Sequence, residues 1–433
     1  MKVQDLTICG IMYEIHESKF KMKPTHHSVV KFAWFFLLFS HLMPYLSAQC
    51  PLECTCDMAY AMRVINCSDA GLDRVPTSMF QQVRLLDLSR NYIVEILEDD
   101  LEYEDLLILD FSDNRLNTIH EEALEETEEL ISADFRNNML TALPGKLFEE
   151  TTKIEMLDFS GNKLYLLPRR LFSGLSQLRV LNLNGNSIIS LGDGLFNSLR
   201  SLEVLDVGAN DIESIRAVTF NGLSSLTELK MQHNKLSELP ADTFLDLNSL
   251  TQLDVSFNDI VTIHDQAFTG LSSLEVLNLN GNRISNFNNC FDVVNSVTPG
   301  LENLQELRIN SNAVRILTDN VFEFLETVAL LDLSGNQMTE LHKNSFNGLT
   351  SLLNLDLSYN SLHQLPSGLF DDLTNLKYFE IGIDNLITIT KTLQDDGNQW
   401  TQVLIRMGKS FRNRNSGERL TFADKVGIKY VEL

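Results

Sequence analysis

The side chains that could perform chemistry in this 433-residue sequence sit at spacings that work against it. His120, His264 and His342 each fall six residues after an asparagine of a recurring string, and a row of histidines in one phase suggests metal ligation. They belong to the second, eighth and eleventh copies of that string, so at about 4.8 Å per neighbouring strand even the nearest two lie roughly 14 Å apart. That trio is excluded as a metal site. Gly408-Lys409-Ser410 has the ending of a phosphate-binding loop, but Val403 stands where the motif's first glycine belongs. Asp87, Asp110, Asp134, Asp158, Asp206, Asp254, Asp332 and Asp356 recur at one position like a cation ladder, yet Leu-Asp-Leu-Ser is the ordinary filling of the string. No catalytic residue, metal, cofactor or small-molecule substrate is expected, and the chain reads as a non-enzyme.

Cysteine spacing carries more information. Cys50, Cys54, Cys56 and Cys67 fall within 18 residues, and an even cluster in an exported chain reads as two disulfides. Tetrahedral zinc is the competing reading, disfavoured because Cys-x3-Cys-x-Cys is cramped for it. Export follows from the leader. Lysines at 19, 21, 23 and 31 precede an apolar run, Phe32 to Phe39, that is too short to span a bilayer, and Ser47-Ala48 comes after it. Residues 1–48 therefore read as a signal peptide, with Met22 as an alternative start and an uncleaved anchor as the alternative fate. The expected location is the extracellular space, or else the cell surface. Cys290 remains a lone thiol that reads as a small buried hydrophobe. Asn66-Cys67-Ser68 is a glycosylation sequon whose middle cysteine makes its use doubtful.

Charge narrows the partners. With 34 Lys+Arg against 59 Asp+Glu the net charge is −25, and Glu95 to Glu129 holds fifteen acidic residues against Arg115 alone. Such a body repels nucleic acid and anionic membrane. An extracellular protein or peptide ligand is expected, a basic one being the natural complement. A membrane enters only if the chain is part of a receptor or its leader is an anchor.

These residues hang on a periodic scaffold. Strings such as Ser273 to Ile284, SLEVLNLNGNRI, recur with an asparagine at 91, 114, 138, 162, 186, 210, 234, 258, 282, 312, 336 and 360, and with Asp384 in a thirteenth copy. A near-constant period of 24 residues signals a solenoid in which each unit buries its apolar side only against its neighbours. The two leucines of Leu-x-Leu point inward and the residues flanking them point out. Phe148, Phe172, Phe196, Phe220, Phe244 and Phe268 recur in the return segments and pack behind the strands. The ladder Asn91, Asn114, Asn138, Asn162, Asn186, Asn210, Asn234, Asn258, Asn282, Asn312, Asn336 and Asn360 goes inside the bend, where an amide both donates to and accepts from buried backbone.

These strings, together with the Cys50, Cys54, Cys56 and Cys67 spacing, resemble the extracellular leucine-rich repeat superfamily in its 24-residue class with a cysteine-rich N-terminal cap. The resemblance implies an α/β solenoid, a horseshoe with a concave parallel sheet of about 13 strands and an irregular or short-helical convex side. It implies Cys50 paired with Cys56 and Cys54 with Cys67. The expected domains are a cap at 49–82, repeats at 83–386 and a non-repeat tail at 387–433 that reads as loop or disorder. The family's usual C-terminal cysteine cap has no counterpart here, so either the tail covers the last strand or the chain is a piece of something longer.

The expected function is ligand recognition or cell adhesion through the concave face, with a self-assembling matrix protein as the alternative. Thirteen strands at about 4.8 Å give a face roughly 58 Å long. At a width of about four residues that is close to the roughly 800 Å² per partner of a standard interface. On this face most repeats show Asp with Ser or Gly, whereas two differ. One presents Glu228, Lys230, Gln232 and His233, the next Gln252, Asp254 and Phe257, a mixed aromatic and charged cluster of the kind found at interface centres. Tyr359 and Tyr378 form a second candidate.

Overall fold

Alternation along each short strand sets the first level of structure. In Glu228–Lys230 the central Leu229 is buried while Glu228 and Lys230 look outward. Val180–Asn182, Val204–Asp206 and Val276–Asn278 repeat the pattern. Stacking then converts repetition into a sheet. Leu205 lies opposite Leu229 and Leu229 opposite Leu253, all in parallel, and the register survives the longer repeat, where Leu277 meets Leu307.

The computed structural model describes residues 50–57, 63–76, 82–286, 300–383, 402–407 and 428–431, and all its elements lie in one compact unit, Pro51–Leu433. The leader 1–48, Cys290, Asp384 and the basic stretch 408–427 lie outside the described residues. Among the described residues the main sheet has 17 strands. Thirteen are the repeat strands, Leu85–Asp87 through Tyr378–Ile383. Two precede them: Thr55–Asp57 runs antiparallel to Val64–Asn66, which pairs in parallel with Leu85–Asp87. Two follow: Gln402–Met407 pairs in parallel with Tyr378–Ile383, and Ile428–Val431 with Gln402–Met407. Parts of the tail thus continue the sheet, and the last repeat strand has a partner on its outer edge. Return segments are turns, with one 3-10 helix at Glu98–Leu101 and two short ladders, Glu95–Ile96 with Thr118–Ile119 and Glu238–Leu239 with Thr262–Ile263. No described helix is long and apolar enough to cross a membrane.

Two spines hold the repeats together. Phenylalanines of successive return segments stack, Phe172 on Phe196 at 6.4 Å and Phe220 on Phe244 at 5.9 Å between ring centroids, all fully buried. The asparagines form the polar spine. The Asn186 Nδ2 donates to Phe159 O at 2.9 Å and to Leu183 O at 3.0 Å, while its Oδ1 accepts from Leu164 N at 3.0 Å. Each amide therefore bridges its own repeat and the preceding one. The pattern runs unbroken from Asn114 to Asn360, and across the longer repeat Asn312 still reaches Leu279 O at 2.9 Å. Asn91 uses it to reach Cys67 O, joining the ladder to the cap.

At the cap, Cys54 is bonded to Cys67, and Cys50 and Cys56 are both disulfide-bonded residues. Because a nearest-neighbour stack opens from its ends, reduction is expected to loosen the first repeats before the rest. Hydrogen exchange with and without reductant checks this: protection should fall first around Leu85–Asp87 and Ile108–Asp110, and an even loss along the array would contradict a sealing role for the cap.

Candidate binding surface

The outward residues of the strands form two columns across the concave sheet. The first runs Met156, Val180, Val204, Glu228, Gln252 and Val276, and the second runs Asp158, Asn182, Asp206, Lys230, Asp254 and Asn278, each side chain in register with the next. The carboxylates have local work to do. Asp158 Oδ1 accepts from Ser160 N at 2.7 Å and Asp206 Oδ1 from Gly208 N at 2.9 Å. Asn182 does the same for Asn184 N at 3.1 Å, so an amide meets the structural need as well as a carboxylate.

Electrostatically the column is short of cations. Burial pushes the Asp134 carboxyl up to about 7, and Asp110 and Asp158 on the adjoining strands add to the rise. The Arg136 N–H and guanidinium, the latter 3.2 Å from Asp134 Oδ2, oppose it. Burial also raises Asp110 and Asp206.

The residues singled out from the sequence separate into several environments. Lys230 Nζ lies 2.8 Å from Glu228 Oε1 on its own strand, and in register it stands between Asp206 and Asp254. It is a charge-paired residue. Gln232 lies over Gly208, where an added Cβ would come within 2.6 Å of its Nε2, and its Oε1 is buried without a partner. Asp254 accepts from Ser256 N at 2.8 Å and from Asn278 Nδ2 at 3.0 Å, while Gln252 is exposed. His233 and Phe257 come together as a parallel stack, centroids 4.6 Å apart and planes within 1°. Tyr359 and Tyr378 are exposed but belong to the twelfth and thirteenth repeats. Tyr359 is four strand spacings from Phe257, about 19 Å, so the tyrosines make a separate surface. Asn66 ends the strand Val64–Asn66, and its Oδ1 accepts from the Ser68 N–H at 2.9 Å and the Ser68 hydroxyl at 2.8 Å, the two ends of the sequon being bonded to each other.

The backbone adds a signal that residue types alone conceal. The position just before the ladder asparagine lies in the left-handed region: Gly161, Gly185, Gly281 and Gly335 occupy it at φ of 64° to 67°, Arg90, Asp113, Asn137, Ala209 and Ser311 at 49° to 56°, and the aromatic His233, Phe257 and Tyr359 at 57°, 52° and 54°. Glycine holds that conformation without strain, whereas a bulky L side chain costs about 1–2 kcal/mol. The flanks of the stack are small, with Ala209 before His233 and Gly281 after Phe257. A Cβ at Gly281 would fall 2.7 Å from the Phe257 ring, so the ring leans over that glycine. Phe257 nevertheless remains 48 % exposed. The four glycines, with Asp113 and Asn137 in the same phase, mark the left-handed site in the sequence, and the three bulky aromatics at it could have been found from them.

The histidines read as isolated meet acids of the preceding repeat. His264 Nε2 is 3.0 Å from Glu238 Oε2 and His342 Nδ1 is 3.9 Å from Asp319 Oδ1. Glu98, His120 and Glu122 each place a ligand-capable atom within 4.8 Å of the others, all three open to solvent. This grouping was missed because Glu98 comes from the neighbouring repeat.

Comparison with known proteins agrees with the geometry. A family model described as "Leucine rich repeat" matches residues 134–188, 177–236, 200–260, 231–284, 250–299 and 326–386, together more than half of the chain. Human decorin is 44% identical over 57 residues, 13% of this chain and 15% of decorin, and horse biglycan is 44% identical over 59 residues, 14% of this chain and 15% of biglycan. The chain thus matches about 15% of the length of these relatives. Among solved structures, the APL1 leucine-rich repeat domain is similar at TM-score 0.60 and 17% identity, covering 82% of this chain and 92% of that one. A Leptospira interrogans repeat protein gives TM-score 0.57 and 22% identity over 84% and 94% of the two chains. A chain of the Drosophila Toll–Spätzle complex gives 0.58 and 18% over 79% and 47%. At these identities the likeness shows the fold.

Proposed function

The chain belongs to the leucine-rich repeat family, and from that premise we propose that it is an extracellular recognition module that captures a protein ligand on its concave face, centred on His233 and Phe257. The observation that carries this reading is the stacked pair itself. Two aromatic residues on neighbouring repeats stack at a left-handed position that small or polar residues hold in nine of the twelve repeats, and one of them stays half exposed. Strain retained without a packing need points to use. Half-exposed aromatics beside a charged pair supply the anchoring contacts of interfaces. The disulfide-bonded cysteines of the cap support an oxidising, extracellular setting. Solved neighbours offer precedent for the use of the scaffold, one of them being a complex of Toll with Spätzle.

Replacing Lys230, His233 and Phe257 together by alanine is expected to leave secretion intact and the unfolding midpoint nearly unchanged. Capture of the ligand should weaken at least tenfold, about 1.4 kcal/mol. Most of the loss should follow His233 and Phe257, since Lys230 is already paired with Glu228. Binding measured on the secreted chain checks this, and full affinity in the triple variant would place recognition elsewhere.

A further inference from the structure

The two columns described above are apolar and acidic side by side in the repeats before the aromatic pair. Met156, Val180 and Val204 stand half-buried in register on one column, and Asp134, Asp158 and Asp206 stand on the other with Asn182 between the last two. This part of the sheet has no partner among the described residues. Arg136 offsets part of the charge at Asp134, and the next cation on the column is Lys230, held by Glu228. We propose that this face seats a basic amphipathic helix of a protein partner, running along the array with its apolar side over Met156, Val180 and Val204 and its lysines or arginines over the aspartates. The proposal rests on the reading of the concave face as the recognition surface and names the chemistry of the segment that surface takes.

Charge complementarity selects a basic ligand, and spacing selects a helix. Neighbouring strands are about 4.8 Å apart, while a helix laid across them presents the same side about every 5.4 Å, so over four steps the two drift apart by only about 2.4 Å. An extended segment presents the same side about every 6.7 Å and drifts by nearly 8 Å. The two columns lie two residues apart along each strand, about 6.6 Å, which fits two adjoining sides of a helix about 10 Å across. A second copy of this chain is disfavoured, since its body carries the same excess of acid.

The convex acid-rich surface, with Glu121, Glu122 and Glu125 beside Lys146, is the competing location for a basic ligand. Burial, with Asp110 and Asp158 on the adjoining strands adding to it and Arg136 opposing, places Asp134 at about 7. The charge of the concave column therefore changes around neutral pH.

The test uses the full secreted chain and two synthetic peptides of about 18 residues and equal leucine and lysine content, one at helical spacing and one strictly alternating, titrated by calorimetry at about 0.15 M salt. The helical peptide is expected to bind at least tenfold tighter than the alternating one, and tighter near pH 8 than near pH 6. D134N/D158N/D206N should weaken it at least tenfold, and Asn182 and Asn278 show that the fold accepts asparagine at this position. E121Q/E122Q/E125Q should change nothing. Equal binding of the two peptides, no binding, or loss only in the convex variant would overturn the proposal. Failure here with normal ligand loss in the His233 and Phe257 variant would leave the recognition reading standing, whereas peptide binding with no ligand loss in that variant would do the reverse.

Discussion

Replacing Asn186 by alanine is expected to destabilise the array by about 2–5 kcal/mol, because it leaves the N–H of Leu164 without a partner in an interior that water does not reach and takes one of two asparagine donors from each of the Phe159 and Leu183 carbonyls, which keep Asn162 and Asn210. A buried N–H left without a partner costs about 1–3 kcal/mol, and the loss of one bond of two at each carbonyl adds about 0.5–1.5 kcal/mol apiece. The effect should be local at first, since each repeat is held by its neighbours. Denaturation midpoints should fall, and hydrogen exchange should rise in the repeats carrying Asn162 and Asn210 before the ends respond. Asn184, two residues earlier and on the concave side, serves as the control: it bonds to Asp206, and its loss should cost less than about 1 kcal/mol. If the two variants were equally stable, the asparagine spine would not be what joins the repeats.

Asp134→Asn is expected to act in the opposite direction. Burial raises the folded-state pKa of Asp134 from 3.8 to about 7, so the folded chain holds that proton more tightly than the unfolded chain does. The stability this residue contributes is complete below about pH 4 and is lost as the pH rises through about 7. Asparagine keeps the oxygen that accepts from Arg136 N and removes the titration. The variant should therefore be more stable than the parent by roughly 4 kcal/mol near pH 8 and by less near pH 5, the difference growing by about 2–3 kcal/mol between them. Thermal or urea midpoints at the two pH values decide it. A pH-independent difference would mean that Asp134 titrates in the ordinary carboxylate range.

Both effects show where sequence reasoning carries and where it stops. The strand positions, the inward leucines and the role of the asparagine are written into every repeat, so one physical argument at Leu229 or Asn186 holds along the array. The surface is less legible. Lys230 reads as a free charge until register places it between Asp206 and Asp254 and its own strand supplies Glu228. The acidity of Asp134 depends on how deeply an outward position is buried and on Asp110 and Asp158 of the adjoining strands, which no local pattern encodes. His233 and Phe257 are visible as aromatics, but their strain requires knowing that the preceding-asparagine position is left-handed. Gln402–Met407 carries no repeat signature, so its pairing with Tyr378–Ile383 emerges only from the fold.

The central claim is that the concave face beside Phe257 is where a ligand sits, and a glycan wedge tests it most directly. Phe257→Asn with Asp259→Thr creates a sequon whose asparagine occupies the left-handed position that Asn137 already accepts at φ 55°. Lys377→Thr creates another at Asn375, an exposed residue of a return segment whose amide donates to Thr350 O. Both glycosylated proteins should be secreted and fold. The account predicts that the wedge at 257 abolishes capture of extracellular partners while the wedge at 375 leaves it intact. Undiminished capture with the glycan at 257, or its loss with the glycan at 375, would contradict it.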